Sequence, residues 1–146
     1  MNIRKSTDTD FSSVIALWYQ NMDTLFRPFQ QELHTQLAEG KYFILEEDNQ
    51  IIGFASYKQM PRKKCMRIIH FCIAASHRSK GCGRILLKAL LDDISQLDIN
   101  HDEFPVQVEC ILGLPNNDFW LKEGHEVSRR TLPKSGKTIL TIQIGE

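Results

Sequence analysis

Residues 77 to 84 read HRSKGCGR and directly follow the apolar run IIHFCIAA at residues 68 to 75. The run is rich in Ile and Phe, which predicts a buried strand, and the Leu-rich stretch from residue 83 predicts an amphipathic helix. Two glycines and three cationic side chains therefore lie between a strand and a helix. At such a junction backbone N–H groups point toward one place, and glycine lets an anion approach them. The stretch indicates either a tight, solvated turn or a phosphate-binding turn.

Charge along the chain is balanced overall and uneven locally. Lys and Arg together number 18, and so do Asp and Glu, so no global field favours nucleic acid. Between Lys58 and Lys88, however, nine Lys or Arg residues occur and no Asp or Glu. This segment is a solvated basic face, a local anion site or, as a weaker alternative, a nucleic-acid-binding surface. HRSKGCGR lies within it.

The composition is that of a compact globular chain without a membrane segment. Of 146 residues, 42% are hydrophobic and 25% are charged, which fits one domain over residues 1–146. No run approaches the roughly 20 apolar residues of a membrane span, and the polar N-terminus does not resemble a signal peptide. The four cysteines form no CxxC pair, which predicts a reduced, cytoplasmic protein without a metal site.

Hydrophobic periodicity predicts the element order β-α-α-β-β-β-α-β-α-β-β. Asp48-Asn49 and Lys134-Ser135-Gly136 are typical of hairpin turns. The predicted strands are 2–6, 41–48, 50–60, 65–75, 105–113, 126–132 and 137–144, and the predicted helices are 7–22, 29–40, 83–98 and 116–124. Strand runs separated by few helices favour a mixed α/β sheet covered by helices over an all-parallel sheet.

Two common nucleotide-binding motifs are excluded. The dinucleotide fingerprint G-x-G-x-x-G needs a third glycine at position 86, where the chain has Leu86. A P-loop ending in SGKT at residues 135–138 needs a glycine at position 131, which is Thr131, and a helix after it. Since a strand is predicted there, SGKT is interpreted as part of a hairpin turn.

The pattern that remains is R-x-x-G-x-G, which here is Arg78-Ser79-Lys80-Gly81-Cys82-Gly83. It resembles the coenzyme A motif Q/R-x-x-G-x-G/A of the GNAT superfamily of N-acetyltransferases. A second stretch, NNDFWLKEG at residues 116–124, is similar to the N-x-x-F-Y-x-x-x-G motif of one GNAT branch. Both motifs lie on the expected elements, so the resemblance covers essentially the whole chain. It implies a single GNAT-like α/β (α+β) domain with a mixed, mostly antiparallel sheet and helices on both faces.

The resemblance implies acetyl-CoA as co-substrate and no metal. The pyrophosphate of the coenzyme would lie on the backbone amides of the turn, with cationic side chains at the rim. The pantetheine arm would follow the backbone edge of the preceding strand. The residues implied for the pyrophosphate are Arg78, Ser79, Lys80, Gly81, Cys82, Gly83 and Arg84. Those implied for pantetheine and the thiol end are Phe71, Ile73, Ala75, Asn116, Phe119 and Trp120.

The resemblance also implies direct attack of an amine on the thioester, without an acyl-enzyme. The backbone N–H of Ile73 would stabilise the developing oxyanion. His70 and Glu109 are the general-base candidates, Glu109 through water, although strand alternation places His70 on the face opposite Ile73. Trp120 stands where many relatives have a Tyr that protonates the leaving thiolate, and indole does not release its proton near neutral pH. Trp120 is thus either a hydrogen-bond donor or only a packing residue.

The sequence predicts an acetyl-CoA-dependent N-acetyltransferase that acts on a primary amine of a small molecule or a protein, as a monomer or homodimer. An acyl-CoA-binding sensor or pseudoenzyme on the same fold is the alternative, because the usual Tyr is absent. No nucleic-acid or membrane partner is expected. The predicted acceptor loop, residues 20–32, combines Asp23 and Glu32 with Phe26 and Phe29, which suits a cationic amine with an apolar body.

Overall fold

The computed structural model describes residues 1–21 and 28–145. Its elements follow the predicted order β-α-α-β-β-β-α-β-α-β-β. The strands are β1 (Asn2–Lys5), β2 (Tyr42–Glu47), β3 (Gln50–Met60), β4 (Cys65–Ile73), β5 (Val106–Ile111), β6 (Gly124–Thr131) and β7 (Thr138–Ile144). The helices are α1 (Phe11–Gln20), α2 (Gln30–Ala38), α3 (Cys82–Ser95) and α4 (Asn117–Glu123). Asp23 and Phe26 of the predicted acceptor loop, and residue 22 at the end of the first predicted helix, lie outside the described residues.

Most element boundaries differ from the sequence prediction by one to four residues, and two of these differences arise from 3-10 turns. The strand predicted over residues 65–75 ends at Ile73, because Ala75–His77 forms a 3-10 turn. The helix predicted from residue 7 begins at Phe11, after another 3-10 turn at Asp8–Asp10. In that turn the Asp10 carboxylate accepts a hydrogen bond from the Thr7 backbone N–H at 2.8 Å. The Asp10 side chain therefore satisfies the backbone N–H of the residue that precedes the turn.

Seven strands form one sheet in the order β1-β2-β3-β4-β5-β7-β6. The pairs β1–β2, β2–β3, β5–β7 and β7–β6 are antiparallel, whereas β4 and β5 pair in parallel over residues 66–68 and 106–108. The parallel pair follows from α3, which lies between these two strands in the chain and supplies the crossover that parallel strands require. The predicted mixed, mostly antiparallel sheet is confirmed.

Contacts within the chain separate two compact units. The first contains Met1–Tyr57 and Ile69–Asp98, and the second contains Lys58–Ile68 and the chain from Ile99 onward. Strands β3 and β4 therefore each contribute residues to both units. That residues 1–146 form one domain stays a prediction.

In the first unit, α1 and α2 cover one face of the sheet. Trp18 of α1 stacks on Phe54 of β3 with ring centroids 5.5 Å apart. Alternation along β2 directs Tyr42 and Ile44 to this same face. The buried cluster consists of Val14, Leu17, Trp18, Leu33, Leu37, Tyr42, Ile44, Phe54 and Cys72.

Helix α3 covers the opposite face of the first unit. Phe43, which alternation directs away from α1 and α2, has the Lys5 ammonium 4.1 Å from its ring centroid. Lys5 in turn pairs with Asp93 of α3 at 3.3 Å, and the Tyr57 hydroxyl donates to the same carboxylate at 2.5 Å. Helices therefore cover both faces of this unit, as the resemblance implied. The buried aliphatic residues of α3 are Leu86, Leu87, Leu90 and Ile94.

In the second unit, α4 packs on an antiparallel set of strands in the order β5-β7-β6. Helix α4 leads directly into β6 at Gly124. A Cβ at Gly124 would overlap the carbonyl oxygen of Gln143 on β7, so only glycine permits this close approach of the two strands. The buried residues of β5 and β7 are Val108, Cys110, Ile139, Leu140 and Ile142.

Candidate functional site

The turn between β4 and α3 contains the R-x-x-G-x-G motif. The chain leaves β4 at Ile73, passes through the 3-10 turn Ala75–His77 and enters α3 at Cys82. Ser79 and Gly81 have positive φ angles of 63° and 84°. This left-handed backbone conformation is easy for glycine and uncommon for other residues, so the path of the turn itself favours glycine at position 81.

The N-terminal end of α3 presents the backbone amides of Cys82 and Gly83. The first helical hydrogen bond runs from the Ile85 N–H to the Gly81 carbonyl at 3.2 Å. The amides of Cys82 and Gly83 precede this bond, and Gly81 has no side chain to cap them. Apart from its chain neighbours and the helix backbone, no described atom comes within 4 Å of where a Gly81 Cβ would lie. N–H donors, the helix dipole and open space together fit an anionic group.

The three cationic side chains of the turn have different surroundings. Lys80 and Arg84 are exposed. The Arg78 guanidinium instead points inward, because its Nε donates to the Ile73 carbonyl at 3.1 Å and its Nη2 donates to the Asn21 side-chain oxygen. Through these hydrogen bonds, Arg78 links the turn to the end of β4 and to the end of α1.

The end of β4 contains the residue predicted to stabilise the oxyanion. The Ala74 N–H donates to the Ile52 carbonyl on β3 at 2.7 Å. Since successive amides along a strand point to opposite sides, the Ile73 N–H points away from β3. A Cβ at Gly53 would lie 2.8 Å from Ile73 Cδ1 and 3.0 Å from the Cys72 carbonyl, so Gly53 allows the chain at this end of β4 to lie close to β3. The direction of the Ile73 amide agrees with its predicted role, and its contact with a substrate stays a prediction.

His70, the first general-base candidate, lies against the aromatic cluster of the first unit. Its Nδ1 is 2.8 Å from the Tyr42 hydroxyl and 3.3 Å from the Ser56 hydroxyl. Its ring is parallel to that of Tyr42, and its centroid is 4.6 Å from that of Trp18. Burial lowers the pKa of His70 to about 4 and raises the pKa of Tyr42 to about 12. The imidazole is therefore neutral near pH 7 and is a weak acceptor for an amine proton.

Glu109, the second general-base candidate, lies between two guanidinium groups in the second unit. Arg67 Nη1 donates to its Oε1 at 2.7 Å, and Arg130 Nη2 donates to its Oε2 at 3.1 Å. The Arg67 side chain is 9% exposed and that of Glu109 is 24% exposed. Both carboxylate oxygens already accept hydrogen bonds from cations, so Glu109 is the centre of an ion-pair cluster on the strands.

The NNDFWLKEG motif forms α4 and the first residue of β6 in the second unit. The Asn116 carbonyl accepts the Trp120 backbone N–H at 3.3 Å, which closes the first turn of α4. The Trp120 side chain is 2% exposed and meets the Phe119 ring edge-on at 4.9 Å. Trp120 is therefore part of the packed interior of this unit, and contacts of these three residues with a co-substrate stay predictions.

Two buried asparagines support these turns, and sequence reasoning missed both. Asn21 accepts from Arg78 and donates through Nδ2 to a carbonyl of α1 at 2.8 Å. Asn117 accepts the Gly113 N–H at 2.9 Å and donates to the Ile111 carbonyl at 2.9 Å. Nothing in the local sequence separates these asparagines from solvated ones, because their partners are fixed by the fold.

Three further observations concern the described part of the chain. No group of three or more His, Cys, Asp or Glu residues comes together there in a way that could hold a metal ion. No helix in the same residues is long and apolar enough to span a membrane. The four cysteines are buried, and no disulfide forms within these residues.

Residues 4–105 match the sequence model of the acetyltransferase (GNAT) family. The chain belongs to this family. The matched range includes β4, the R-x-x-G-x-G turn and α3 of this GNAT domain, and it ends before the NNDFWLKEG motif.

Solved structures share the fold of this GNAT chain. N-acetylglutamate synthase from Neisseria gonorrhoeae, solved with coenzyme A and N-acetyl-glutamate, has a TM-score of 0.77 and 18% identity over 99% of this chain and 35% of that one. This chain thus spans about a third of the length of that synthase. A GNAT family acetyltransferase from Bacillus cereus has a TM-score of 0.73 and 16% identity over 99% and 96% of the two chains. Ribosomal-protein-alanine N-acetyltransferase from Brucella melitensis has a TM-score of 0.72 and 17% identity over 98% of both.

Proposed function

We propose that this GNAT family member transfers an acetyl group from acetyl-CoA to a primary amine of a small molecule or a protein. The observation that carries the proposal is the N-terminal turn of α3. It combines the left-handed Gly81, amides ahead of the first helical hydrogen bond, and the exposed cations Lys80 and Arg84. A pyrophosphate suits such a turn because it accepts N–H hydrogen bonds and is attracted by the helix dipole. The coenzyme A bound in the Neisseria synthase structure supports the same ligand.

The three cations of the turn have separate roles in this proposal. Lys80 and Arg84 supply charge at the phosphates of the co-substrate. Arg78 is a positioning residue, because its guanidinium already bonds to the Ile73 carbonyl and to Asn21. The pyrophosphate is therefore bound mainly by backbone groups, whose positions Arg78 fixes.

Acetyl transfer itself needs little from side chains in this proposal. The pantetheine arm follows the backbone at Phe71, Ile73 and Ala75, and the Ile73 N–H donates to the thioester oxygen as it becomes an oxyanion. The neutral amine bonds to the carbonyl carbon and the C–S bond breaks. The amine gives up a proton to solvent, and the coenzyme A thiolate takes one from solvent.

Solvent is proposed as the proton acceptor because neither His70 nor Glu109 is suited to take a proton from the amine. With a pKa of about 4, His70 gives up a proton far more readily than an ammonium group, whose pKa is about 10. Glu109 already binds Arg67 and Arg130. The rate of transfer is then expected to rise with pH as the acceptor amine loses its proton.

An acyl-CoA-binding sensor is the second candidate function. The buried Trp120 at the position of the usual Tyr, together with the engaged state of His70 and Glu109, favours binding without turnover. The two functions differ in one measurement. The transferase releases coenzyme A thiol from acetyl-CoA when an acceptor amine is added, whereas the sensor binds acetyl-CoA and releases none across a broad panel of amines.

The substitution Gly83→Val tests the co-substrate site. Valine and glycine both have modest helix propensity, so α3 should keep its stability while the new side chain blocks approach to the first-turn amides. We expect at least about tenfold weaker coenzyme A binding by calorimetry, equal to about 1.4 kcal/mol. Ser95→Val is the matched control, because it places the same side chain at the far end of α3 and should leave affinity unchanged. Equal affinity of Gly83→Val and the unmodified protein would place the phosphate site elsewhere.

A further inference from the structure

Strand β6, in the second unit, is an edge strand that is exposed along almost its whole length. It pairs with β7 on one side, and no strand of residues 1–21 or 28–145 pairs with its other side. Seven consecutive residues of β6, from His125 to Thr131, are exposed. Because successive side chains of a strand point to opposite faces, β6 is open on both faces as well as along its outer edge. The backbone N–H and C=O groups of that edge are available to another strand.

Edge strands that stay unpaired usually have protective features, such as short length, proline, lysine or a covering segment. Strand β1, at the other edge of the sheet, has only four residues, and its Ile3 and Arg4 are partly buried. Strand β6 has eight residues and contains neither proline nor lysine. Its pairing with β7 shifts between Glu126 and Ser128, so that Val127 has no partner in the register. This leaves an apolar side chain 44% exposed in the middle of the strand.

The charges of β6 complement those of a second, antiparallel copy of the same strand. Glu126 and Arg129 lie on one face, where their side chains pair at 2.6 Å. A two-fold axis between Val127 and Ser128 places Glu126 opposite Arg129 of the partner subunit, and the symmetry makes the reciprocal contact at the same time. This register uses all eight residues of β6 and sets opposite charges against each other on the same face. A row of like charges would instead repel a second copy.

We propose that two copies of this chain associate through β6, antiparallel about a two-fold axis, so that the two sheets become continuous. Backbone hydrogen bonds between the two strands supply the affinity, and the reciprocal contacts of Glu126 and Arg129 fix the register. Val127 lies opposite Ser128 of the partner subunit, which covers its exposed side chain. The interface consists of second-unit residues from both copies, and the inference is independent of the proposed acetyl transfer.

The first experiment measures the mass of the protein in solution over a range of concentrations by sedimentation equilibrium. We expect the average mass to rise from the 16.9 kDa of one chain toward twice that value. Glu126→Arg and Arg129→Glu should each weaken the dimer by at least about tenfold, because each substitution sets like charges opposite each other. Lys134→Glu is the control, since it reverses an exposed charge in the turn after β6 and should leave association unchanged.

Mixing the two weakened variants tests the register itself. In a dimer of one Glu126→Arg chain and one Arg129→Glu chain, both reciprocal contacts again join opposite charges. The mixture should therefore associate about as tightly as the unmodified protein, although neither variant does so alone. Recovered association would also show that both variants are folded. A mixture that associates no better than its components would overturn the proposed register.

Hydrogen exchange locates the interface. At concentrations where the dimer forms, amides of β6 should exchange more slowly than in dilute protein, whereas the amides of β1 should exchange at the same rate in both. A chain that stays monomeric at every concentration would overturn the proposal and leave the edge of β6 for a strand of a different protein. A dimer with unchanged exchange in β6 would overturn it as well, because another surface would then form the contact.

Discussion

Single side chains in this molecule owe their chemistry to their neighbours more than to their type. A histidine ordinarily has a pKa that suits a general base, but burial against Tyr42 and Trp18 lowers the pKa of His70 to about 4 and keeps it neutral. Arg78 belongs to a phosphate-binding motif, yet its guanidinium bonds to a carbonyl and to Asn21. A motif therefore indicates which backbone conformation a turn adopts, while the contacts of each side chain decide what that side chain can do.

The first residue-scale prediction concerns stability against pH and depends on His70. Its pKa is about 4 in the folded protein against an ordinary 6.5, so between these values the unfolded chain binds a proton that the folded protein does not. The stability that neutral His70 contributes is complete above pH 6.5 and is lost as pH falls toward 4. We expect His70→Gln to reduce this loss by up to about 3 kcal/mol, measured by urea unfolding at pH 7.0, 5.5 and 4.5.

His125→Gln is the control for this measurement. His125 is exposed on β6, so its removal should leave the pH dependence of the unmodified protein in place. If His70→Gln and the unmodified protein lose the same free energy of unfolding between pH 7.0 and 4.5, the imidazole is not held neutral by the fold.

At the scale of elements, glycines permit the close approaches on which two junctions depend. Gly53 leaves room on β3 for Ile73 and for the carbonyl of Cys72. Gly124 joins α4 to β6 against the Gln143 carbonyl, and its φ of −161° is extended backbone that any residue adopts. The need for glycine at position 124 is therefore a matter of space and not of backbone conformation.

Gly124→Ala is expected to lower the free energy of unfolding by about 1–3 kcal/mol, the usual cost of overpacking. The added methyl group would overlap the backbone of Gln143, so β6 and β7 must move apart. Urea denaturation checks this, with Ser128→Ala as a control on the same strand. Ser128 is exposed, so its substitution should change stability by no more than about 0.5 kcal/mol. If Gly124→Ala and Ser128→Ala unfold at the same urea concentration, the close approach of Gly124 to the Gln143 backbone is contradicted.

At the scale of the whole molecule, the sequence predicted what depends on local pattern and missed what depends on contacts between distant segments. Hydrophobic periodicity and turn residues were sufficient for the order of the strands and helices in residues 1–21 and 28–145. The R-x-x-G-x-G turn was predictable because glycine spacing limits the backbone. The bond between Arg78 and Asn21 joins residues 57 positions apart, and the bond between Arg67 and Glu109 joins residues 42 apart. Pairs of this kind cannot be predicted from the local sequence, because the fold brings the two residues together.

The last prediction tests whether the two compact units unfold as one domain. Cys72 and Cys82 lie in the first unit and Cys65 and Cys110 in the second, all four at most 5% exposed. Burial also raises the pKa of the Cys110 thiol, which slows its reaction.

Because β3 and β4 each contribute residues to both units, unfolding of one unit would break strands of the other. In rising urea, mass spectrometry should therefore find all four thiols labelled by a disulfide reagent over the same range. Labelling of Cys65 and Cys110 at clearly lower urea than Cys72 and Cys82, or the reverse, would show two separately unfolding domains.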